Sequence, residues 1–111
     1  MITELQFIEI ALTFPNTERI KHFDRIGFKV RRKRMFCTYL DKDNTTNLFF
    51  TPAQQKQYCK KDPDNFYPVA NKWGEHGATT VELDTVSKDL LIEALAVAYN
   101  EVIKPKEKGK T

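Results

Sequence analysis

Three short strand patterns joined by hairpin-length connections constrain the fold of this chain most strongly. Residues 28–31 are apolar at alternate positions, residues 35–40 are rich in aromatic and β-favouring side chains, and residues 46–50 complete the set. The connections between them, RRKR and DKDNT, are short and polar. Connections of this length join strands that run antiparallel, because parallel neighbours need a longer crossover. The middle of the chain is therefore predicted to form an antiparallel sheet.

Three helices are predicted around these strands from their capping signals. Thr3 is followed three residues later by Gln6, and Thr51 is followed by Gln54 at the same spacing. Each pair forms a capping box, which satisfies free backbone N–H groups in the first turn of a helix. Ser87 is a third N-cap candidate, and it precedes an apolar stripe at helical spacing. The sequence therefore predicts one helix before the strands, one after them and one near the end of the chain.

Two connections follow from this assignment: residues 15–26 are predicted to be a loop or a short extra turn, and residues 63–77 a loop. The second holds the only tryptophan, Trp73, and two of the four glycines. Tyr39 and Phe49 are candidates for the face of the sheet that the helices leave open. We expect the Trp73 loop to cover them, and an exposed ligand surface is the alternative.

The order of the predicted elements is α-β-β-β-α-β-α. Its last strand, residues 78–84, alternates apolar and polar side chains and therefore has one buried face. Short antiparallel strands with helices on one face give an α+β fold, a two-layer sandwich. A length of 111 residues suits one domain, which we place at residues 1–104. Residues 105–111 are predicted to be a disordered basic tail.

Composition favours a cytoplasmic protein with an ordinary hydrophobic core. Hydrophobic residues make up 41% of the chain, enough to form a core without disulfides. Cys37 and Cys59 lie far apart in hydrophobic segments, and we expect small buried side chains rather than a disulfide or metal ligands. Glu4 and Glu9 interrupt the first apolar residues, so no signal peptide is expected. No apolar run has the length of a membrane span, and we expect a cytoplasmic monomer with no membrane partner.

No group of residues forms a recognisable catalytic or metal-binding motif. His22 and His76 are the only histidines, and their spacing from other residues supports no catalytic triad. His22 and Asp24 form a tight pair of ligand types, but two ligands are too few for a metal site. Glu82 and Asp84 are predicted to face solvent rather than a cleft. We therefore predict a protein without catalysis, without a metal and without a cofactor.

The strongest functional signal is a run of cations at the first hairpin connection. Residues 1–61 carry 12 Lys and Arg against six Asp and Glu, whereas residues 62–111 carry six against nine. A basic hairpin tip can follow a phosphate backbone, which predicts DNA binding. The alternative is a solvated tip whose charges keep strand edges from aggregating. The predicted DNA contacts are Lys29, Arg31, Arg32, Lys33 and Arg34.

A second hypothesis is a binding surface for a protein or a small ligand, formed by the Trp73 loop and the adjoining sheet face. Exposed aromatic side chains on a sheet can form such a surface. An apolar groove beside the tryptophan would favour it, and a tryptophan buried wholly by its own loop would count against it. The candidate residues are Trp73, His76, Phe49 and Tyr67.

Four segments of the chain resemble the MmcQ/YjbR family of small bacterial proteins. They are HFDRIGFKVRRKRMF, NLFFTPAQQ, DPDNFYPVANKWGEHGATTVELD and DLLIEALAVAYNEVIKPK. The most specific pieces are the F-x-V strand with its Lys33-Arg34 turn and the WGxxGxTxVxLD segment. The resemblance extends over nearly the whole chain.

This resemblance implies a CyaY-like (frataxin-like) α+β fold. Family members are often described as DNA-binding proteins with a double-wing arrangement, but they share no established reaction or catalytic residues. Iron binding in frataxins relies on an acidic ridge in the first helix, whereas only Glu4 and Glu9 stand there in this chain. Ile26-Gly27 replaces a proline found in many members, and this departure affects how the strand begins. The RRKR turn is more basic than the commoner glycine-lysine turn, which favours an anionic partner.

Overall fold

The computed structural model describes residues 1–105, in which six strands form one antiparallel sheet. The strands are β1 (Thr17–His22), β2 (Arg25–Val30), β3 (Met35–Leu40), β4 (Thr45–Phe49), β5 (Phe66–Pro68) and β6 (Ala78–Glu82). They lie in the order β1-β2-β3-β4-β6-β5. The helices are α1 (Glu4–Leu12), α2 (Pro52–Lys61), α3 (Lys72–Glu75) and α4 (Lys88–Ile103). Apart from Pro105, the tail predicted at residues 105–111 lies outside the described residues.

The predicted α+β class and the order of its elements are confirmed. Three elements add to that order, namely β1, β5 and the short helix α3. The last two lie within the predicted loop 63–77, where they are only three and four residues long. Elements this short carry too few residues for a period of 2 or 3.6 to be visible.

Residues 15–26, predicted as a loop, instead hold β1 and the start of β2. The strand β1 pairs with β2 from Thr17 opposite Val30 to His22 opposite Arg25. Its sequence is TERIKH, and none of its six residues is buried. An edge strand without a buried face needs no apolar alternation, so the pattern that reveals the other strands is absent here.

The predicted capping signals are confirmed at all three long helices. Backbone N–H of Gln6 donates to Oγ1 of Thr3 at 3.2 Å, and the Gln6 side chain accepts from the backbone of Thr3 at 3.0 Å. Thr51 and Gln54 make the same reciprocal pair at 3.2 and 2.9 Å. Oγ of Ser87 accepts from backbone N–H of α4 at 3.2 Å. Among residues 1–105, none of the helices has the length and apolar character needed to cross a bilayer.

The core lies between one face of the sheet and helices α1, α2 and α4. Phe7 of α1 stacks on Tyr39 with ring centroids 5.4 Å apart. Tyr58 of α2 stacks against Phe50 and Phe66, at 5.1 and 5.4 Å. These rings and the apolar stripe of α4 fill the space between the sheet and the three long helices.

Tyr39 belongs to this core and not to the open face, where the sequence placed it with Phe49. In the sheet register Tyr39 lies opposite Thr46 of β4. Thr46 and Phe49 are three residues apart on one strand, so their side chains point to opposite faces. Tyr39 and Phe49 therefore cannot share a surface.

Candidate functional site on the open face of the sheet

The face of the sheet turned away from α1, α2 and α4, here called the open face, has a mixed polar and apolar centre. Thr38 lies opposite Asn47, and Asn47 lies opposite Thr80. Oγ1 of Thr80 donates to Oδ1 of Asn47 at 2.8 Å. Their strand neighbours Cys37 and Leu48 are fully buried on the core side, which fixes the alternation of the two faces.

A β-bulge in β3 decides which side chains reach the open face. The register passes from Phe28 opposite Cys37 to Lys29 opposite Met35, which leaves Phe36 as an extra residue. Both Phe36 and Cys37 are fully buried, as expected when a bulge places two neighbours on one side. Met35 is thereby kept on the open face, where it packs over Gly27: a β-carbon at position 27 would lie 2.6 Å from its sulfur.

A groove with a volume of about 830 Å³ crosses the open face. It extends from the β1–β2 turn at Phe23, past Thr38 and Asn47, to the loop that holds Trp73. Phe49, which is half-buried, forms part of its floor. The groove thus joins segments of the chain that are far apart in sequence.

The Trp73 loop forms one wall of the groove and is fixed by several independent contacts. Oδ1 of Asn71 accepts from backbone N–H of Trp73 at 2.9 Å. Nε2 of Gln55, on α2, donates to the carbonyl oxygens of Gly74 at 2.9 Å and Ala78 at 3.0 Å. A β-carbon at position 74 would lie 1.8 Å from the carbonyl oxygen of Val69, so this close backbone approach requires glycine. The loop is therefore shaped by glycine and anchored by α2.

Trp73 is 65% exposed at this wall, although the sequence predicts it as a cover for the sheet. The difference arises because Gln55 and Gly74 hold the backbone of the loop beside the sheet rather than across it. The indole is among the groove-lining side chains, together with Phe49 and His76. Three of the four residues predicted as a partner surface thus line one groove.

Tyr67, the fourth, is exposed on β5 and is not among the residues that line the groove. Its hydroxyl donates to Oε2 of Glu82 on the neighbouring strand. This hydrogen bond, with partial burial, raises the pKa of Tyr67 to about 12. Its contact therefore serves the pairing of β5 with β6 rather than the groove.

Two arginines from different strand ends line the groove. Nη1 of Arg25 donates to Oγ1 of Thr38 at 3.2 Å, which directs this guanidinium over the open face. Arg34 stands at the start of β3, near the Trp73 wall. Neither arginine has an acidic partner within salt-bridge distance among residues 1–105. Both keep free N–H donors for a ligand.

Two acids also line the groove. Glu101 is paired with Lys104, at 3.1 Å between Oε2 and Nζ, and accepts a further hydrogen bond from Gln54 at 3.3 Å. Asp24 lies next to Arg25 in the β1–β2 turn. Asp24 makes no salt bridge among residues 1–105, so the unpaired charges of the lining are Arg25, Arg34 and Asp24, an excess of one positive charge.

Of the five cations predicted to contact DNA, four lie in the turn between β2 and β3 (residues 31–34) and Lys29 lies on β2. Nε of Arg31 is 3.1 Å from Oε2 of Glu18 on β1. Arg34 lines the groove, and Lys29 lies on the open face opposite Met35. Arg32 and Lys33 remain exposed in the tight turn, where Arg32 has a φ of 66°. Arg31 is thus tied back to the sheet and Arg34 lines the groove, whereas Lys29, Arg32 and Lys33 are not among the groove-lining residues.

Arg25, Phe23, Met35 and His22 also line the groove, and the sequence did not single them out for this role. The missing signal was the strand β1, which pairs with β2 up to His22 opposite Arg25 and so leaves Phe23 and Asp24 as a two-residue turn. Within residues 1–105, no three His, Cys, Asp or Glu side chains are grouped so as to hold a metal ion. The groove therefore presents guanidinium, imidazole, amide and aromatic groups together with the carboxylates of Asp24 and Glu101.

These features define a class of protein: an antiparallel α+β sandwich with a groove on its open face that is lined by arginine and aromatic side chains. A family model described as YjbR matches residues 12–101. The chain belongs to the YjbR family, as its resemblance to MmcQ/YjbR proteins predicted.

The fold is shared with a protein of known structure. The crystal structure of Deinococcus radiodurans protein DR2400, which has a DUF419 domain, superposes with a TM-score of 0.81 at 24% identity. The match covers 99% of this chain and 85% of that one. No curated protein matches the chain.

Proposed function

We propose that this protein binds nucleic acid through the open-face groove and the adjoining hairpin tip, without a catalytic step. The observation that carries the proposal is the meeting of Arg25 and Arg34 with Trp73 in one groove. Guanidinium groups pair with phosphate oxygens, and aromatic rings stack on bases. The groove joins the cationic and aromatic surfaces that the sequence presents as separate candidates.

The positive charge of the hairpin supports an anionic partner. Arg32 and Lys33 are exposed and have no acid within salt-bridge distance among the described residues. With Arg34 they place three cations beside one end of the groove. Each cation that meets a phosphate releases condensed counterions, so affinity of this kind falls steeply with salt.

A salt-dependent titration tests the proposal. A dye-labelled DNA of mixed sequence, offered as a single strand and as a duplex, is titrated with the protein at several salt concentrations. For the double variant Arg25→Gln with Arg34→Ala we expect the slope of log affinity against log salt to shrink by about 1.5, because each lost phosphate contact contributes about 0.7 to 0.9. Gln at position 25 removes the charge and keeps a polar side chain of shorter reach.

Lys88→Ala provides the matched control. Lys88 is an exposed cation at the start of α4, about 20 Å along the helix from Glu101. Its removal lowers the net charge without touching the groove, so we expect an unchanged slope. No binding of either DNA at low salt would overturn the proposal, as would equal slopes for the double variant and the wild type.

The volume of the groove favours a second candidate, a small ligand or a peptide segment of a partner protein. A space of about 830 Å³ lies within the range of small-molecule sites. Trp73 and Phe49 would supply its apolar contact. Two results together would favour this candidate over nucleic acid. The protein would bind no DNA, and a ligand would raise the melting temperature of the wild type but not of Trp73→Ala.

We further propose that the protein acts as a monomer in the cytoplasm. Support comes from the polar edge strand β1, whose exposed charged side chains disfavour pairing with another sheet. Sedimentation equilibrium at micromolar concentration tests the monomer, and a mass of twice 13.0 kDa would refute it.

A further inference from the structure

We infer that the groove selects single-stranded nucleic acid, in which an unpaired base stacks on the indole of Trp73. This inference rests on the proposed function and narrows its substrate class. It depends on three features of the groove: the way Trp73 is held, the position of a second exposed aromatic ring and the direction of the free cations.

The backbone on both sides of Trp73 is anchored, and its indole is presented to solvent. The Asn71 cap, the two hydrogen bonds of Gln55 and the close approach of Gly74 to Val69 fix the backbone on both sides of it. A backbone that is already ordered loses little further entropy when the side chain it carries contacts a ligand. A flat ring that is 65% exposed on such a backbone is suited to stacking.

A second aromatic ring stands at the opposite end of the groove. Phe23 is 85% exposed in the β1–β2 turn and has a φ of 57°, a left-handed conformation that is uncommon for a bulky residue. Phe49 lies on the floor between the two ends. The groove therefore offers aromatic surface along its length and not only at Trp73.

Aromatic rings in this arrangement discriminate between the two forms of nucleic acid. In a duplex both faces of each base are covered by its neighbours, so an exposed indole finds no face to stack on. In a single strand the bases are free to splay apart and offer those faces, and stacking tolerates any sequence. Trp73 and Phe23 thus add affinity only for unpaired bases.

The cations are also placed for a strand lying in the groove rather than for insertion into a duplex. The hairpin tip is a short turn, in which backbone N–H of Lys33 donates to the carbonyl of Val30 at 2.8 Å. Arg31 is tied back to Glu18, and Arg34 lines the groove. A tip this short and partly neutralised projects little, whereas Arg34 and Arg25 lie along the path of a bound strand.

The only tryptophan of the chain makes stacking directly measurable. We expect a single-stranded oligothymidine of about 12 nucleotides to quench the fluorescence of Trp73 at low salt. The same length of duplex should bind at least tenfold more weakly and leave the fluorescence nearly unchanged. Trp73→Ala, followed with a labelled oligonucleotide, should lose about tenfold in affinity for the single strand. Trp73→Phe should recover part of that loss.

An abasic oligonucleotide of the same length separates stacking from charge. It keeps the phosphates and lacks the bases, so it should bind the wild type about tenfold more weakly than oligothymidine and should bind wild type and Trp73→Ala equally. Leu5→Ala is the control, because Leu5 is 67% exposed on α1, outside the groove lining. It should leave every affinity unchanged.

The outcomes distinguish the inference from the function on which it rests. Equal affinity for single strand and duplex, or an oligothymidine affinity unaffected by Trp73→Ala, overturns the single-strand inference and leaves nucleic-acid binding intact. Absence of binding to every oligonucleotide at low salt overturns the proposed function itself.

Discussion

Replacement of Gln55 by methionine is expected to lower the free energy of unfolding by about 1.5 kcal/mol. The side chain of Gln55 donates to the carbonyl oxygens of Gly74 at 2.9 Å and Ala78 at 3.0 Å. Each such bond contributes about 1 kcal/mol net. Methionine has nearly the same volume, and both carbonyls keep a backbone donor, from Gly77 and Val69 respectively. No carbonyl is left without a partner, so the loss stays somewhat below two full hydrogen bonds.

Urea denaturation and thermal unfolding measure this loss. For a chain of 111 residues the entropy of unfolding is about 0.23 kcal/mol/K, so the melting temperature should fall by about 6 °C. Gln57→Met is the matched control, since Gln57 is exposed on the same helix and makes no side-chain hydrogen bond among the described residues. It should change the free energy by less than about 0.5 kcal/mol.

Equal stability losses for Gln55→Met and Gln57→Met would refute the anchoring role of Gln55. Loss of the two Gln55 hydrogen bonds is also expected to weaken binding at the groove, because a loosened loop no longer holds the backbone of Trp73 in one position. Faster amide hydrogen exchange at residues 72–77 in Gln55→Met, but not in Gln57→Met, would trace that weaker binding to the loop.

Gly77, Cys37 and Tyr67 offer three independent checks. Gly77→Ala should lower the free energy of unfolding, measured by denaturant titration, by about 3 kcal/mol. The φ of Gly77 is 114°, and a β-carbon there would lie 2.1 Å from a backbone oxygen of the β4–α2 junction. A loss below about 1 kcal/mol would contradict this. Full burial raises the pKa of Cys37. A thiol reagent should therefore label half-buried Cys59 first and Cys37 only on unfolding. Equal labelling rates of the two cysteines by mass spectrometry would contradict this expectation. The hydrogen bond to Glu82 raises the pKa of Tyr67 to about 12. The wild type should have a higher free energy of unfolding than Tyr67→Phe below pH about 10, and this difference should decline as the pH rises through about 12. A difference that stays constant across that range would argue against the hydrogen bond.

The helices and most strands could be predicted because their signals are local. Thr3 with Gln6, and Thr51 with Gln54, are capping pairs only three residues apart, and each is formed as the sequence indicates. The alternation of residues 78–84 likewise reports directly on a buried face. In contrast, β1 has no buried face and left no periodic signal, so the hairpin that places Arg25 in the groove could not be inferred.

The position of Trp73 could not be predicted, because it depends on contacts between distant segments. Gln55 lies 19 residues before Gly74, and nothing in their spacing reveals that one amide side chain bridges two carbonyls. The groove joins Arg25 to Trp73 in the same way, through sheet order and not through sequence distance. A fold can therefore be read from local patterns while a site assembled across the sheet stays hidden.

The two edges of the sheet bear on how this protein can be handled in solution. One edge is β1, with exposed Arg19 and Lys21. The other is β5, only three residues long and ending in Pro68, which has no N–H to offer. Neither edge is a template on which another chain could extend the sheet. Concentrated samples are therefore expected to resist conversion to fibrils.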